Sequence, residues 1–197
     1  MEGDYPMFVS FFSFLAERFD LPVLDWIAAN LQSPIVDAVM PLITALGNGG
    51  AIWILWAVIA LLIPKYRKMG LGMAFALVMG LIVCNLILKP QIARIRPFDY
   101  QLQHFGRVIE LLIAAPHDFS FPSGHTIASF EAAAVLLLNH RKMGLAALIL
   151  AVLIAFSRLY LYVHYPTDVL ASVVLGILFG ILGNLLAHWI HSPKKAE

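Results

Sequence analysis

The sequence predicts an all-helical membrane protein, in which apolar helices cross the bilayer several times and pack as one bundle. Of its 197 residues, 61% are hydrophobic and 13% are charged, and the mean hydropathy is +0.85. Soluble domains contain roughly 45–50% apolar and about 25% charged residues, so this composition is typical of a polytopic membrane protein. The formal net charge of +1 provides no broad basic field, and we expect no nucleic-acid partner.

Five apolar stretches are long enough to cross the hydrocarbon core of a bilayer, which takes about 20 helical residues. They are expected to be helices, because lipid offers no other partner for the polar groups of an open backbone. The predicted spans cover residues 48–64, 70–88, 122–139, 143–163 and 166–190. We therefore predict a polytopic transmembrane helical bundle with five clear spans, formed by a single domain over residues 47–192.

Residues 1–46 are apolar in places but interrupted by charges, which leaves two interpretations of this segment. An aromatic cluster around Phe11 is followed by charged residues that include Glu17 and Asp20. We expect amphipathic helices that lie in the membrane interface. The alternative is a short sixth span over residues 7–26, which would place several charges in the hydrocarbon core.

Lysine and arginine residues that follow alternate spans predict the orientation in the membrane. They are Lys65, Arg67, Lys68, Arg141, Lys142, Lys194 and Lys195. Because such residues accumulate on the cytoplasmic side, segments 89–121 and 159–166 are expected at the outer face of the cytoplasmic membrane. Chemistry carried by these two segments would then face outward.

Two polar clusters combine permanent cations with a helix start. Lys89 and Arg96 are seven residues apart, and they share one helix face if the helix continues for two turns. The next span opens with a proline followed by Ser123, Gly124 and His125. Proline and serine favour a helix start, and glycine lets an anion approach the backbone N–H groups. This pattern predicts an anion site beside a titratable histidine.

A third cluster combines a cation with a histidine and a carboxylate. Arg158 follows a serine, His164 lies six residues later, and Asp168 lies four residues after His164. A carboxylate at this spacing can accept the imidazole N–H and fix the tautomer, which makes the other ring nitrogen a nucleophile. Three cations, a helix N-terminus and two histidines suit a phosphoryl group, because its transfer without a metal needs fixed donors, a nucleophile and an acid.

In this order, the three clusters resemble the signature of the type 2 phosphatidic acid phosphatase superfamily. The matching residues are Lys89, Arg96-Pro97, Pro122-Ser123-Gly124-His125, Ser157-Arg158, His164 and Asp168. The resemblance implies a helical bundle with its site near the outer membrane face, and hydrolysis of lipid phosphates or diphosphates through a phosphohistidine. It also implies that no cofactor or metal takes part, and that the partners are a lipid phosphate substrate and membrane lipids.

Carried over position by position, the resemblance makes His164 the nucleophile on phosphorus and Asp168 the group that holds its ring. His125 would protonate the leaving oxygen and later activate the water. The expected ligands of the phosphoryl oxygens are Lys89, Arg96, Arg158, Ser123 and the Gly124 amide. The residues by themselves leave open which histidine attacks and which one protonates.

The substrate and the exact reaction class also stay open in the sequence. A compact bundle with short outer loops favours undecaprenyl diphosphate, followed by phosphatidic acid and phosphatidylglycerol phosphate. A lipid-linked phosphotransferase would use the same phosphohistidine. A transporter or flippase is less favoured, because transporters tend to have paired broken spans near the midplane, whereas the polar groups here cluster at one face. The sequence leaves the oligomeric state undetermined.

Several further polar residues accompany these clusters. Asn85, one turn before Lys89, is expected to support that lysine by hydrogen bonding. Glu131 is an intramembrane carboxylate, which is costly and usually paired, and it either has a structural role or lines the path of the lipid. For four residues of the outer segment, contact with a substrate headgroup and contact with solvent are both open: Arg94, Asp99, Arg107 and Asp118.

Overall fold

The computed structural model describes residues 7–191, and every regular element in this part of the chain is helical. Lys194 and Lys195, which contribute to the predicted orientation, lie outside the described residues. The N-terminal region folds into three α-helices, with a π-helical turn between the first two: α1 (Met7–Leu15), the π-helical turn (Ala16–Asp20), α2 (Leu21–Leu31) and α3 (Pro34–Leu46).

The rest of the chain adds seven α-helices and three shorter helical connections. The α-helices are α4 (Ala51–Leu62), α5 (Arg67–Gly80), α6 (Lys89–Ile92), α7 (Pro97–Phe105), α8 (Gly124–Asn139), α9 (Arg141–Tyr160) and α10 (Pro166–His191). Two 3₁₀ turns, Asn48–Gly50 and Pro64–Tyr66, precede α4 and α5, and a π-helical segment, Leu81–Leu88, joins α5 to α6.

Three helical stretches of the described chain are long and apolar enough to cross a membrane: Pro64–Phe105, Arg141–Tyr160 and Pro166–Ile190. A fourth span exists only if Pro34–Leu46 and Asn48–Leu62, which are bent by 42° at their junction, are counted together. The described residues thus contain three to four candidate spans, and the prediction of five or six is not confirmed.

Helix α8 explains much of this difference. Its 16 residues rise about 24 Å, which is less than the roughly 30 Å of a hydrocarbon core. It packs against α5, α9 and α10, and most of its side chains are buried. An apolar stretch that the sequence predicts as a span is therefore a largely buried helix that is too short to count among the candidate spans of the described chain.

The helical run formed by α1, the π-helical turn and α2 is long but carries four charged residues, and it is absent from the candidate spans of the described chain. Ala16 and Leu21 of this run pack against Tyr100, Tyr162 and Tyr165. The N-terminal region therefore lies against α7 and the loop between α9 and α10. A position of residues 1–46 in the membrane interface stays a prediction.

Small residues bring the central helices close together. A Cβ atom added at Gly183 of α10 would lie 2.6 Å from the Gly72 carbonyl oxygen of α5, so the two backbones are in contact. At the other end of the bundle, the Ser123 amide before α8 donates to the Ser172 hydroxyl of α10 at 2.8 Å. The starts of α8 and α10 and the end of α9 consequently meet at one end of the molecule.

Candidate active site

A cavity of about 1020 Å³ opens at this end of the bundle. Its polar part brings together most of the residues that the sequence singled out: Lys89, Arg96, Gly124, His125, Arg158 and His164. Its remaining wall is mainly apolar and comes from α4, α5 and the π-helical segment, with side chains that include Ile54, Val58, Leu61, Leu77 and Leu81. The cavity therefore has a cationic end, formed by Lys89, Arg96 and Arg158, that continues into an apolar groove.

His164 lies in the tight loop between α9 and α10 and is 2% exposed. The loop turns at Tyr162, whose φ is 58°, and the His164 amide donates to the Arg158 carbonyl at 3.3 Å. His164 Nε2 lies 3.4 Å from Arg96 Nη1. Nδ1 lies 3.5 Å from Asp168 Oδ2, which is close but longer than a normal hydrogen bond. The spacing of four residues thus places the ring and the carboxylate side by side, as predicted.

The surroundings of His164 favour its neutral form. Burial, together with the positive charges of Arg96, Arg158 and Lys89, lowers the pKa of His164 well below its ordinary value. A neutral imidazole has a free lone pair on one ring nitrogen, which is the form required for nucleophilic attack.

Asp168 is fully buried at the start of α10, and each of its carboxylate oxygens is held in place. Oδ1 accepts a hydrogen bond from Arg94 Nη1 at 2.5 Å. Oδ2 accepts from the Tyr165 amide at 3.0 Å and also from the Ser120 hydroxyl. Asp168 is not among the described residues that line the cavity, so its position suits contact with the His164 ring rather than with a substrate.

Lys89 and Arg96 converge on one carboxylate, that of Asp118. Lys89 Nζ lies 2.5 Å from Oδ2 and Arg96 Nη2 lies 2.5 Å from Oδ1. Burial alone would raise the pKa of Asp118, but the hydrogen bonds and charges of the two cations hold it well below its usual range. The expected phosphate ligands therefore already bind an anionic group of the protein's own loop.

The route by which Lys89 and Arg96 meet differs from the prediction of a shared helix face. Helix α6 ends at Ile92, and Ala93 has a φ of 48°, in the left-handed region. Arg96 is extended, with φ −76° and ψ 154°, because the residue before a proline avoids the helical region. The condition for a shared helix face, a helix that continues for two turns, is not met, although the two cations still converge.

Ser123, Gly124 and His125 begin α8, as the sequence predicts. His125 Nε2 lies 2.9 Å from Asn48 Oδ1, which orients the ring at the edge of the cavity. Ser123 is fully buried, and its hydroxyl accepts from Thr126 Oγ1 at 3.0 Å. Ser123 is not among the described residues that line the cavity, whereas Gly124 and His125 are.

Four cavity residues carry buried polar atoms without a hydrogen-bond partner among the described residues: Asn85 Oδ1, Glu131 Oε1, Arg158 Nε and His164 Nδ1. Arg158 donates from Nη1 to Thr44 Oγ1 at 2.6 Å, and its remaining donors are available to an anion. The expected hydrogen bond from Asn85 to Lys89 is absent in the described chain. The side chain of Asn85 lies against Gly124 instead. Glu131 is 1% exposed and borders the cavity beside Gly80.

Three polar residues that the sequence left open form ion pairs in the structure, and one of their partners, Asp20, is missing from the sequence prediction. Arg94 binds Asp168, Arg107 binds Asp25 at 2.8 Å, and Asp118 binds the two cations. For Arg94 the available signal is its position two residues before Arg96, but no pattern in the sequence connects Asp168 with Asp20, which Arg94 also binds. Within residues 7–191, no group of three or more histidine, cysteine, aspartate or glutamate side chains is placed to hold a metal ion.

Comparison with known proteins identifies the family to which the chain is similar. The model of the PAP2 superfamily matches residues 65–192. A protein of Sulfolobus acidocaldarius named undecaprenyl-diphosphatase is 36% identical over 126 residues, which are 64% of this chain and 58% of that protein. The match thus spans less than two thirds of that relative's length.

Two further relatives come from Bacillus subtilis. The protein named phosphatidylglycerophosphatase B is 35% identical over 170 residues, which cover 79% of this chain and 77% of that protein. The crystal structure described as a transmembrane PAP2 type phosphatidylglycerolphosphate phosphatase superposes with a TM-score of 0.69 at 25% identity, covering 95% of this chain and 97% of the other.

Proposed function

Because this chain belongs to the PAP2 superfamily, we propose that it releases phosphate from a lipid phosphate or diphosphate through a phosphohistidine formed on His164. The chain is a lipid phosphatase of that superfamily, and the proposal concerns its substrate, its mechanism and the face of the membrane on which it works. The observation that carries it is the meeting of two histidines and three cations at one end of a largely apolar cavity.

In the first half of the proposed reaction, His164 Nε2 attacks phosphorus. The N–P bond forms while the bond from phosphorus to the leaving oxygen breaks, and His125 gives that oxygen a proton. Asp168 lies 3.5 Å from Nδ1 on the far side of the ring. It can accept a hydrogen bond from Nδ1–H as positive charge develops on the imidazole, while the proton stays on Nδ1, since hydrogen bonds of this kind often tighten only in the reacting complex.

In the second half, water cleaves the phosphohistidine. His125 takes a proton from the water, a P–O bond forms and the N–P bond breaks, which returns His164 to its neutral state. The hydrogen-bonding position of Asn48, 2.9 Å from His125 Nε2, keeps the ring at the cavity edge where leaving group and water exchange.

Lys89, Arg96 and Arg158 are the proposed ligands of the phosphoryl oxygens, joined by the Gly124 amide at the start of α8. Arg96 adds hydrogen bonds to the Val163 carbonyl at 2.6 Å and the Asp118 carbonyl at 2.7 Å, which fix its guanidinium beside His164. For the phosphoryl group to reach Lys89 and Arg96, the Asp118 carboxylate has to move aside. Ser123 contributes through the helix start, since its hydroxyl is engaged by Thr126.

Undecaprenyl diphosphate is the first choice of substrate, followed by phosphatidylglycerol phosphate and phosphatidic acid. The relatives named undecaprenyl-diphosphatase and phosphatidylglycerophosphatase B support the first two. The apolar wall formed by α4 and α5 offers a path along which a long tail leaves the cationic end sideways. Apolar area buried there contributes to binding whatever the exact tail, at roughly 25 cal/mol per Å².

The site is proposed to face outward from the cytoplasmic membrane. Lys65, Arg67 and Arg141 lie where α4 ends and where α5 and α9 begin. The cavity's cations instead lie after α5 and at the end of α9, the opposite ends of the same helices. Basic residues prefer the cytoplasmic side, which supports the outward position of the cavity.

The test is phosphate release by the purified, detergent-solubilised protein in EDTA. Undecaprenyl diphosphate, phosphatidylglycerol phosphate and phosphatidic acid are compared at equal surface fraction, with His164→Ala as the inactive control. Release from one lipid that disappears in the variant supports the proposal. Absence of release from all three, with the protein folded, would contradict hydrolysis and direct the search to a phosphotransferase with a lipid or sugar acceptor.

A further inference from the structure

We propose that Asp20, on the π-helical turn of the N-terminal region, is a positioning residue that sets the Asp168 carboxylate beside His164 by way of Arg94. The inference rests on the proposed function, because it concerns the same nucleophile. Asp20 lies outside residues 65–192, the part of the chain that the family model matches, so that match assigns it no role.

Asp20 lies in a buried polar environment at the start of α10. Its side chain is fully buried, and both oxygens are used. Oδ1 accepts from the Thr167 amide at 2.9 Å, and Oδ2 accepts from the Thr167 hydroxyl at 2.7 Å. The Thr167 amide belongs to the first turn of α10, where amides have no partner within the helix, so Asp20 anchors the start of the helix that carries Asp168.

The guanidinium of Arg94 is bound by two carboxylates at once. Nη2 lies 2.7 Å from Asp20 Oδ2 and Nη1 lies 2.5 Å from Asp168 Oδ1. The guanidinium also lies over the Tyr165 ring, 3.7 Å from its centroid, and over the Phe12 ring at 4.7 Å. Each end of a planar, rigid fork is thereby assigned to a different carboxylate.

The sharing of Arg94 between two carboxylates affects the negative charge that Asp168 presents to His164. Since Arg94 carries one positive charge and faces two buried carboxylates, its charge is shared, and Asp168 keeps negative charge for the Nδ1–H of His164. Without Asp20, Arg94 is free to bind both oxygens of Asp168. That arrangement would draw Oδ2 away from His164 and neutralise the charge that polarises the ring.

Neither Asp20 nor Arg94 is among the described residues that line the cavity. Loss of Asp20 should therefore reduce the rate of the chemical step and leave substrate binding nearly intact. This separation of kcat from KM is what distinguishes a positioning residue from a ligand of the substrate.

The experiment compares Asp20→Asn with Asp25→Asn in the full-length protein. Asp25 lies on the same helical run and binds Arg107 and the hydroxyl of Tyr162, each at 2.8 Å, so its loss disturbs the same packing without touching Arg94. For Asp20→Asn we expect kcat to fall about tenfold or more with KM within about twofold of wild type. Asp25→Asn should retain both constants.

A second readout does not depend on the substrate. The ring nitrogens of His164 are observed by ¹⁵N NMR in histidine-labelled protein, with assignment from His164→Ala. Asp20→Asn should move the Nδ1 resonance of His164, and Asp25→Asn should leave it in place. If wild-type protein hydrolyses none of the tested lipids, the proposed function fails, while the resonance still decides the role of Asp20.

A folding defect in Asp20→Asn is detected by its thermal midpoint and its gel-filtration profile. In that case Arg94→Lys decides, because a lysine keeps the charge but cannot hold two carboxylates with the ends of a planar fork. It should show the same loss of kcat and the same movement of the His164 resonance. Unchanged kcat and an unmoved resonance in a folded Asp20→Asn or Arg94→Lys protein would overturn the proposal.

Discussion

The Lys89 ammonium lies 2.5 Å from the Asp118 carboxylate, at the place where the cavity is most cationic. Arg96 binds the other oxygen of the same carboxylate at 2.5 Å. A carboxylate between two cations occupies the positions that two phosphoryl oxygens take in the proposed mechanism. In that mechanism we expect Asp118 to compete with the substrate for Lys89 and Arg96.

Replacing Asp118 by asparagine should strengthen the binding of phosphate-like anions. Orthovanadate, which mimics the five-coordinate phosphoryl group, should inhibit Asp118→Asn at concentrations about 2- to 10-fold lower than wild type, since each half-exposed ion pair that is lost is worth up to about 1 kcal/mol. The measurement is the inhibition constant for orthovanadate in the phosphate-release assay.

Glu110→Gln provides the matched control, because Glu110 is an exposed carboxylate of the same loop and its loss changes the net charge equally. Its inhibition constant should stay at the wild-type value. Weaker binding of orthovanadate to Asp118→Asn would mean that Asp118 orients Lys89 and Arg96 rather than competing with the anion.

Removing the nucleophile should abolish turnover. In His164→Ala, the rate of phosphate release should fall by about 1000-fold or more, because the proposed covalent intermediate forms on the ring nitrogen that lies beside Arg96. The exposed loop residue His117 offers a control, and His117→Ala should keep wild-type activity. Substantial phosphate release by a folded His164→Ala protein would contradict the phosphohistidine mechanism.

Chelation of divalent metal should leave the activity unchanged. Lys89, Arg96 and Arg158 supply the positive charge that a metal would otherwise provide to the phosphoryl oxygens. We expect equal rates of phosphate release in about 1 mM EDTA and in about 1 mM Mg²⁺, measured beside a magnesium-dependent phosphatase as control. A loss in EDTA that magnesium restores would require a metal in the mechanism.

The acidic side of the pH profile should extend below the range of an ordinary histidine. The pKa of His164 is held well below its usual value of about 6.5, first by burial and then by Arg96, Arg158 and Lys89. A lowered pKa means that the ring loses its proton at lower pH. The nucleophile is therefore already neutral at about pH 6, and kcat/KM should not fall through its protonation as the pH is lowered from about 7 to about 5.5.

The substrate phosphate also titrates near pH 6, so its protonation is followed separately by ³¹P NMR and its contribution is removed from the profile. A remaining decline centred near pH 6.5 would show that His164 titrates like an exposed histidine. Recording the same profile for Asp25→Asn checks that the acidic limit does not reflect loss of the fold.

The predicted pairing of His164 with Asp168 rests on local spacing, and this is why the sequence suffices for it. Asp168 lies in the first turn of α10 and His164 in the short loop directly before it, so only a short piece of chain separates the two side chains. A shared helix face for Lys89 and Arg96 depends on a helix that continues for two turns, and this condition is not met, because α6 ends at Ile92 and Ala93 is left-handed.

The number of spans was less accessible to sequence reasoning. An apolar stretch such as residues 122–139 has the composition of a span, yet α8 is short and enclosed by its neighbours. Hydropathy reports how hydrophobic a segment is, but whether the segment contacts lipid or other helices depends on packing. The two causes of burial cannot be separated from composition alone.

The sequence by itself determined the helical membrane class, the family resemblance and the set of candidate chemical groups, because composition and short-range spacing express these directly. Only the tertiary structure decided that the Asp118 carboxylate forms ion pairs with Lys89 and Arg96, and that Asp20 forms an ion pair with Arg94. Asp20 and Arg94 are 74 positions apart in the chain, and no periodicity relates them. Their contact follows from how α2 and its preceding turn pack against the loop before α10, which depends on the whole bundle.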